Sequence, residues 1–322
     1  MAVYTKIEKA DLQNLLKNYN LGNLEKYEEI KEGVENSNFK VFTSKNIYIL
    51  TIFEKRVNKV ELPFFIELMN HLVKNGFQCP ESLANKDGEF ISLLKEKPCT
   101  IVSFIEGNWI RNIKNTHCQQ LGSNLAKMHS ITSSFSLNRE NNIGYRNWKK
   151  LFESFNSQKK DLYRDIYDII SNELIFLNEN WPIKLPQGII HADLFQDNVF
   201  FKDDKFTGII DFYFACKDFY AYELAVCLNA WCFEKDQSFN TTKASLILNE
   251  YQNKRPLSDE EMKSFPILSR GAALRFLLTR LNDLIFHSSE ALVNPKDPNE
   301  YLKILHFHQQ IKSINEYGLI EK

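Results

Sequence analysis

Residues 191–198 read HADLFQDN, and a second acid, Asp211, closes the later run GIID. Each polar group stands directly after a short apolar run: Gly188-Ile189-Ile190 leads into His191, and Gly208-Ile209-Ile210 leads into Asp211. A short strand buried under helices holds the groups just beyond its end more rigidly than a free loop does. Asp and Asn oxygens suit Mg2+, which binds through one or two carboxylates plus substrate phosphates. A carboxylate left off the metal can accept a hydroxyl proton. Together, Asp193, Asn198 and Asp211 have the chemistry needed for phosphoryl transfer from a nucleotide.

Taken singly, each of these residues has an ordinary use. A loop Asp caps or turns the chain, an Asn bonds its own backbone, and a His is most often a satisfied core residue. The combination, with a strand on each flank, favours a site.

The elements that must position these groups divide the chain. Up to residue 105 the sequence is strand-rich. Residues 39–42 and 47–53 read as two strands joined by the turn 43–46, and further apolar runs cover 90–94 and 99–105. Between them Leu62, Phe65, Ile66, Met69 and Leu72 recur at helical spacing, with Pro63 in the first turn and Gly76 at the C-terminal cap. Residues 106–322 are mainly helical, with patterns over 117–131, 147–180, 220–235, 241–253, 258–287 and 298–316. The exception is the segment around 191–211, where runs 188–190, 199–201 and 208–210 are expected to lie side by side and so bring Asp193, Asn198 and Asp211 together. The fold class is α+β.

The motif His191-x-Asp193-x-x-x-x-Asn198, with Asp211 after a second strand, resembles the catalytic loop of protein kinases and of the aminoglycoside/choline kinase-like families. Ala192 stands where protein kinases usually carry another residue, which favours small-molecule kinases. Longer stretches, among them EGVENSNFKV, LPFFIELMNHLVKNGFQCP, GIIHADLFQDNVFF, GIIDFYFACKDFYAYELAVCLNAWCFE and RGAALRFLLTRLND, are similar to homoserine kinases of the aminoglycoside-phosphotransferase-like type over nearly the whole chain. The resemblance implies a two-lobed protein-kinase-like fold, with a nucleotide-binding lobe at 1–105 and a catalytic helical lobe at 106–322. It implies ATP and Mg2+ as cofactors, L-homoserine as the small-molecule substrate, and a product destined for threonine synthesis.

Roles follow from the same resemblance. Asp193 would orient the acceptor hydroxyl and take its proton, His191 would brace the loop, and Asn198 and Asp211 would hold Mg2+. The segment 32–41, with Gly33, Ser37 and Asn38, would touch phosphates. Ser103, Ile105 and Glu106 would form the segment whose backbone reads adenine. The family's strand lysine falls near Thr51, with Lys55 and Arg56 just downstream; Glu61 and Glu67 are candidates for its acidic partner, though Phe65 stands nearest the expected place.

An amino-acid acceptor needs a cation for its carboxylate. Arg270, Arg275 and Arg280 recur on one predicted helix, and a five-residue spacing turns about 140° beyond a full turn, so they face different ways. Arg275, set among apolar neighbours, is the candidate, with Asn229 and Trp231 as further lining. Glu223 is expected to anchor the catalytic loop and His129 to pack within its helix. Other acceptors of the same fold class are choline, methylthioribose and aminoglycosides; a nucleotide-binding regulator without catalysis is the reading from a different class.

Composition narrows the field. Apolar residues make up 43% and charged residues 25%, with a formal net charge of -1, which leaves no basic field for nucleic acid. Six cysteines without a C-x-x-C pair read as buried free thiols, suited to a reducing cytoplasm. The richest apolar run, 265–286, is broken by Arg270, Arg275, Arg280 and Asp283, so no membrane span is expected. Oligomeric state is not readable from the sequence.

Overall fold

The computed structural model describes residues 5–30, 36–54, 59–155, 164–286 and 294–319. The chain sorts into two compact units, Met1–Gly107 with Thr207–Tyr213, and Asn108–Phe206 with Phe214–Lys322. Residues 207–213, within the stretch that the sequence assigns to the helical part, group with the first unit and carry Asp211 with them.

The first unit holds a five-stranded antiparallel sheet in the order β1-β2-β3-β5-β4. Its strands are β1 (Leu24–Ile30), β2 (Ser37–Thr43), β3 (Ile47–Ile52), β4 (Ser92–Leu94) and β5 (Lys97–Ser103). In β2 the burial alternates, with Ser37, Phe39, Val41 and Thr43 inward and Asn38, Lys40 and Phe42 half-buried, as a period of two requires. Helix α1 (Lys9–Leu16) was not foreseen from its polar sequence. Its Leu12, Leu15 and Leu16 recur three and four apart and close over Phe39, Leu50 and Ile101. Burying leucines of this kind contributes roughly 1.5–3 kcal/mol each. Helix α2 (Leu62–Lys74) has Pro63 in its first turn, and Gly76 follows its cap at φ +75°, a left-handed conformation that glycine adopts without steric cost.

The second unit is built on helices α3 (Asn115–Thr132), α4 (Tyr145–Ser154), α5 (Arg164–Asn180), α6 (Tyr220–Trp231), α7 (Thr241–Lys254), α8 (Asp259–Ile285) and α9 (Asn299–Gln310). Of the expected helical span 147–180, residues 156–163 lie outside the described residues and the rest falls in α4 and α5; the span 298–316 holds α9 and a 3-10 turn at Ile314–Tyr317. Helix α3 approaches α7 so closely that a Cβ on Gly122 would stand 2.2 Å from the Ile247 carbonyl oxygen. Helix α8 opens with Asp259, Glu260 and Glu261 in its first turn, where acids complement the helix dipole. Ser258 accepts from the Glu261 N–H (3.2 Å), and Glu261 accepts from the Ser258 N–H (2.9 Å), a reciprocal capping box.

The strand arrangement around 191–211 differs from the expectation. Strand β6 (Gln187–Ile190) pairs antiparallel with β9 (Cys216–Phe219), with Ile189 opposite Lys217. Strands β7 (Val199–Lys202) and β8 (Lys205–Ile209) form a separate ribbon. Its turn residues, Asp203 and Asp204, both have positive φ (51° and 60°), the pair of signs that suits a two-residue hairpin. Close packing accounts for the β6 partner. Gly188 lies against Tyr220, where a Cβ would come within 1.9 Å of the phenol oxygen, and the Tyr220 N–H donates to the Pro186 carbonyl (3.2 Å). That contact fixes the chain just after β9 beside β6.

All six cysteines are buried free thiols. Among the described residues, no helix is long and apolar enough to cross a membrane.

Candidate active site

Strand β6 ends at Ile190, and the next eight residues form the loop singled out by its sequence. The loop is pinned at many points. The backbone N–H groups of His191 and Ala192 donate to the two oxygens of Glu223, at 3.0 and 2.6 Å. Arg275 donates to the Ala192 carbonyl at 3.1 Å, so this one peptide segment is gripped on both its donor and its acceptor side. Ala192 needs that grip: its φ is +65°, a left-handed conformation that costs a residue with a Cβ on the order of 1–3 kcal/mol. Further along, Trp231 Nε1 donates to the Leu194 carbonyl (3.0 Å), Gln196 Nε2 to the Ala230 carbonyl (2.7 Å) and Asn198 Nδ2 to the Asp193 carbonyl (2.8 Å). Helix α6 therefore acts as the loop's spine, with Glu223 near its start and Ala230 and Trp231 at its end.

Glu223 is fully buried. Burial alone would raise its carboxyl, but the hydrogen bond from His129 and the charges and N–H around it prevail and hold it below the usual carboxylate range. His129 bridges Glu223 through Nε2 (2.8 Å) and the Tyr251 hydroxyl through Nδ1 (2.7 Å). Its own pKa is lowered, because burial outweighs the neighbouring carboxylate.

The Asp193 side chain is 24% exposed. Desolvation raises its pKa, opposed first by Arg275, 3.5 Å from Oδ1, and then by His191. A carboxylate made more basic in this way is a better proton acceptor. The Asp193 N–H donates to His191 Nδ1 (3.3 Å).

The three arginines of α8 point to three different partners. Arg270 makes a two-pronged contact with Glu173 of α5, both at 2.7 Å. Arg275 serves the loop, and Arg280 reaches Glu300 (2.5 Å) and the Asp297 carbonyl (2.7 Å). Arg275, the expected carboxylate-binding residue, is thus buried with its guanidinium committed to Ala192 and Asp193 and covering the Phe276 ring at 3.8 Å. Asn229 and Trp231, expected to line the substrate pocket, lie instead in the packed interior. Asn229 is 3% exposed and accepts from His308 Nε2 (2.6 Å), while Trp231 is fully buried and bonded to the loop. Helical spacing could place these residues inward but not name their neighbours.

The oxygen donors fit a hard cation. Asn198 is 8% exposed and pins its Nδ2 to the Asp193 carbonyl. Asp211, in the first unit, is exposed and has φ +62°, an unusual backbone for a residue other than glycine and one often found at functional sites. By type, carboxylate and amide oxygens suit Mg2+ rather than zinc. No cluster of three or more His, Cys, Asp or Glu occurs among the described residues, and such a donor set needs none.

Of the nucleotide-side candidates, Gly33 lies outside the described residues, as do Lys55 and Arg56. Ser37 cannot face a phosphate: it is fully buried, receives the Thr5 N–H (3.0 Å) and donates to Glu54 (2.7 Å). Glu54 is in turn paired with Lys97. Asn38 is half-buried and accepts from Thr51 Oγ1 (2.8 Å). Ser103 ends β5, with its N–H bonded to the Glu81 carbonyl and its hydroxyl receiving the Glu81 N–H, both at 2.9 Å. Ile105 and the exposed Glu106 follow it.

Where the resemblance places a strand lysine and its acidic partner, the first unit has aromatic packing. Phe53, two residues after Thr51, and Phe65 of α2 both meet the Tyr213 ring edge-on, with centroids 5.2 and 5.6 Å away.

Residues 26–257 match the model of the phosphotransferase enzyme family. Homoserine kinase of Agrobacterium fabrum is 48% identical over 319 residues, covering 99% of each chain. Homoserine kinase of Xanthobacter autotrophicus is 50% identical over the same length and shares. Solved structures agree at the level of fold. An amicoumacin kinase in complex with AMP-PNP, Ca2+ and Ami superposes with a TM-score of 0.70 at 14% identity, covering 95% of this chain and 93% of that one. Choline kinase from Cryptosporidium parvum gives 0.68 at 17% identity, covering 94% and 95%. The chain belongs to the phosphotransferase enzyme family, and its fold is the protein-kinase-like one of aminoglycoside phosphotransferases and choline kinases.

Proposed function

We infer that the chain is an ATP-dependent homoserine kinase, which transfers the γ-phosphoryl of ATP to the side-chain hydroxyl of L-homoserine. The observation that carries this reading is identity of 48–50% to homoserine kinases along 319 residues. O-phosphohomoserine is then the product, for threonine biosynthesis. The enzyme works in the cytoplasm, whose reducing conditions suit six buried thiols.

The chemistry assigned to the chain's own groups is simple. Asp193 accepts a hydrogen bond from the homoserine hydroxyl and takes its proton as the oxygen bonds to the γ-phosphorus. The bond from that phosphorus to the β-phosphate bridging oxygen breaks, and ADP leaves. Arg275 and Glu223 fix the Ala192 peptide, so Asp193 is already in place when substrate arrives, and positioning supplies much of the rate. Asn198 and Asp211 are the proposed Mg2+ ligands, and Mg2+ neutralises charge on the phosphates when bound. Backbone groups of Ile105 and Glu106 remain the proposal for adenine; the phosphate role first given to Asn38 would need it to release Thr51.

A coupled ADP-release assay over L-homoserine, choline, methylthioribose and kanamycin tests the acceptor. We expect kcat/KM for L-homoserine to exceed the others by at least about tenfold, the value of one well-made contact. A larger value for any other acceptor, or no ADP from L-homoserine, removes the reading. Asp211→Ala should weaken Mg2+-dependent ATP binding by about tenfold or more. An unchanged Mg2+ titration in calorimetry would count against Asp211 as a ligand.

A further inference from the structure

We propose that Lys296 receives the acceptor's α-carboxylate and thereby selects an amino acid over a simple amino alcohol, with Arg280 holding Lys296 in place. The proposal rests on the homoserine kinase reading and goes beyond it by naming the residue that tells homoserine from its decarboxylated analogue.

The argument starts from the arginines of α8. Each is already engaged: Arg270 by Glu173, Arg275 by the catalytic loop, Arg280 by Glu300 and Asp297. None offers the substrate an open two-pronged contact. Yet a carboxylate brought close to Asp193 would meet a like charge unless a cation stood near.

Lys296 is that cation. It is exposed, lies between α8 and α9 in the same unit as Asp193, and has no ion-pair partner among the described residues. The acids near it in sequence are occupied. Glu300 is paired with Arg280, and Asp297 Oδ1 receives the Asn299 N–H (2.9 Å) and Nδ2 (3.0 Å).

Its ammonium stands 5.4 Å from the centroid of the Phe195 ring, and Phe195 is two residues past Asp193. Phe195 in turn meets Phe276 edge-on at 4.9 Å, and Arg275 covers the Phe276 ring. Lys296, Phe195 and Asp193 are therefore parts of one wall. The Lys296 charge reaches the Asp193 carboxyl, where it is one of the influences opposing desolvation.

Arg280 explains how a residue between two helices can be held. It is 9% exposed, lies over the Tyr301 ring at 4.5 Å, and donates to the carbonyl of Asp297, the residue after Lys296. A lysine suits the role of a single point charge on a flexible stem, which closes on a carboxylate without fixed fork geometry.

The test is steady-state kinetics of the full chain with Lys296→Met, which keeps an unbranched stem and removes the charge. The two acceptors are L-homoserine and 3-aminopropan-1-ol, the same skeleton without its carboxylate. We expect KM for L-homoserine to rise about 10- to 100-fold, the loss of one charge-assisted contact, with kcat within about threefold. For 3-aminopropan-1-ol kcat/KM should change by less than about threefold, and KM for ATP should stay put. Lys296→Arg should restore most of the homoserine KM, which a merely structural role would not require.

An equal loss on both acceptors, a rise in KM for ATP instead, or unchanged homoserine kinetics each overturns the proposal while leaving the kinase reading intact. A wild-type protein that turns over another acceptor but not L-homoserine removes the reading first, and the proposal with it.

Discussion

Asp193→Asn should lower kcat for L-homoserine by about 10²- to 10⁴-fold, the usual contribution of a positioned general base. The asparagine keeps the shape and loses the proton acceptor. Nucleotide affinity should stay within about twofold, because Asp193 is assigned no contact with ATP. Stability should not fall. Desolvation raises the Asp193 pKa in the folded state, so at pH above that folded value the charged carboxylate disfavours folding; this penalty fades as pH falls through the folded value and is gone below the unfolded one. A neutral asparagine removes the penalty, so the variant should resist urea at pH 7 at least as well as the parent. Rapid-quench kinetics beside a urea titration checks both halves. Wild-type turnover would refute the base, and a variant that is inactive but also unfolded would refute the stability argument.

Glu223→Ala should give the largest loss of stability, on the order of 3–5 kcal/mol. The carboxylate is wholly buried and accepts three hydrogen bonds, from the His191 N–H, the Ala192 N–H and His129 Nε2. Alanine leaves all three donors unsatisfied and releases the left-handed Ala192. Glu223→Gln keeps one acceptor oxygen and sets an amide N–H2 against a donor, so it should lose less stability but still misplace Asp193. The variant is therefore expected to fold, bind ATP and turn over slowly. The effect should also depend on pH. Glu223 has a depressed folded pKa, so its stabilising contribution is present above the unfolded value near 4.5 and is lost as pH falls through the folded one. The alanine variant lacks that contribution throughout, so the gap from wild type should shrink in acid. Urea midpoints at pH 7 and in acid measure this; equal midpoints for wild type and Glu223→Ala at pH 7 would contradict the clamp.

Much of this site could be read before any coordinates because its information is local. His191, Asp193 and Asn198 fall within eight residues, and Glu223 sits in an apolar helical stretch where an acid must serve something. The assignment of Ala192 to a left-handed backbone could not be read, since alanine carries no signal for it. Arg275 was identifiable as an inward-facing arginine, but its partners lie 82 and 83 residues away in sequence, and helical spacing cannot reach that far. The same limit misassigned Asn229 and Ser37, whose true partners, His308 and Glu54, are set by tertiary contact.

The fold divides along the same line. Pro63 and Gly76 bound α2, and Ser258 with Glu261 starts α8, because caps are written in adjacent residues. Helix α1 was missed because only three leucines mark it. Strand β9 was missed because Cys-Lys-Asp-Phe has no apolar run, and β6 chose it through the contact of Gly188 with Tyr220. Lys296 carries no signal in sequence: it belongs to no periodic element, and its nearness to Phe195 is set by tertiary contact.

The central claim, phosphoryl transfer to a side-chain hydroxyl through Asp193, is tested most directly by phosphorus NMR of the protein with ATP, Mg2+ and L-homoserine. The account predicts that wild type converts the γ-phosphorus signal into a phosphomonoester coupled to the two Cγ protons of homoserine, while Asp193→Asn leaves ATP intact. Wild type yielding only ADP and inorganic phosphate, or the variant forming the ester at the wild-type rate, would contradict it.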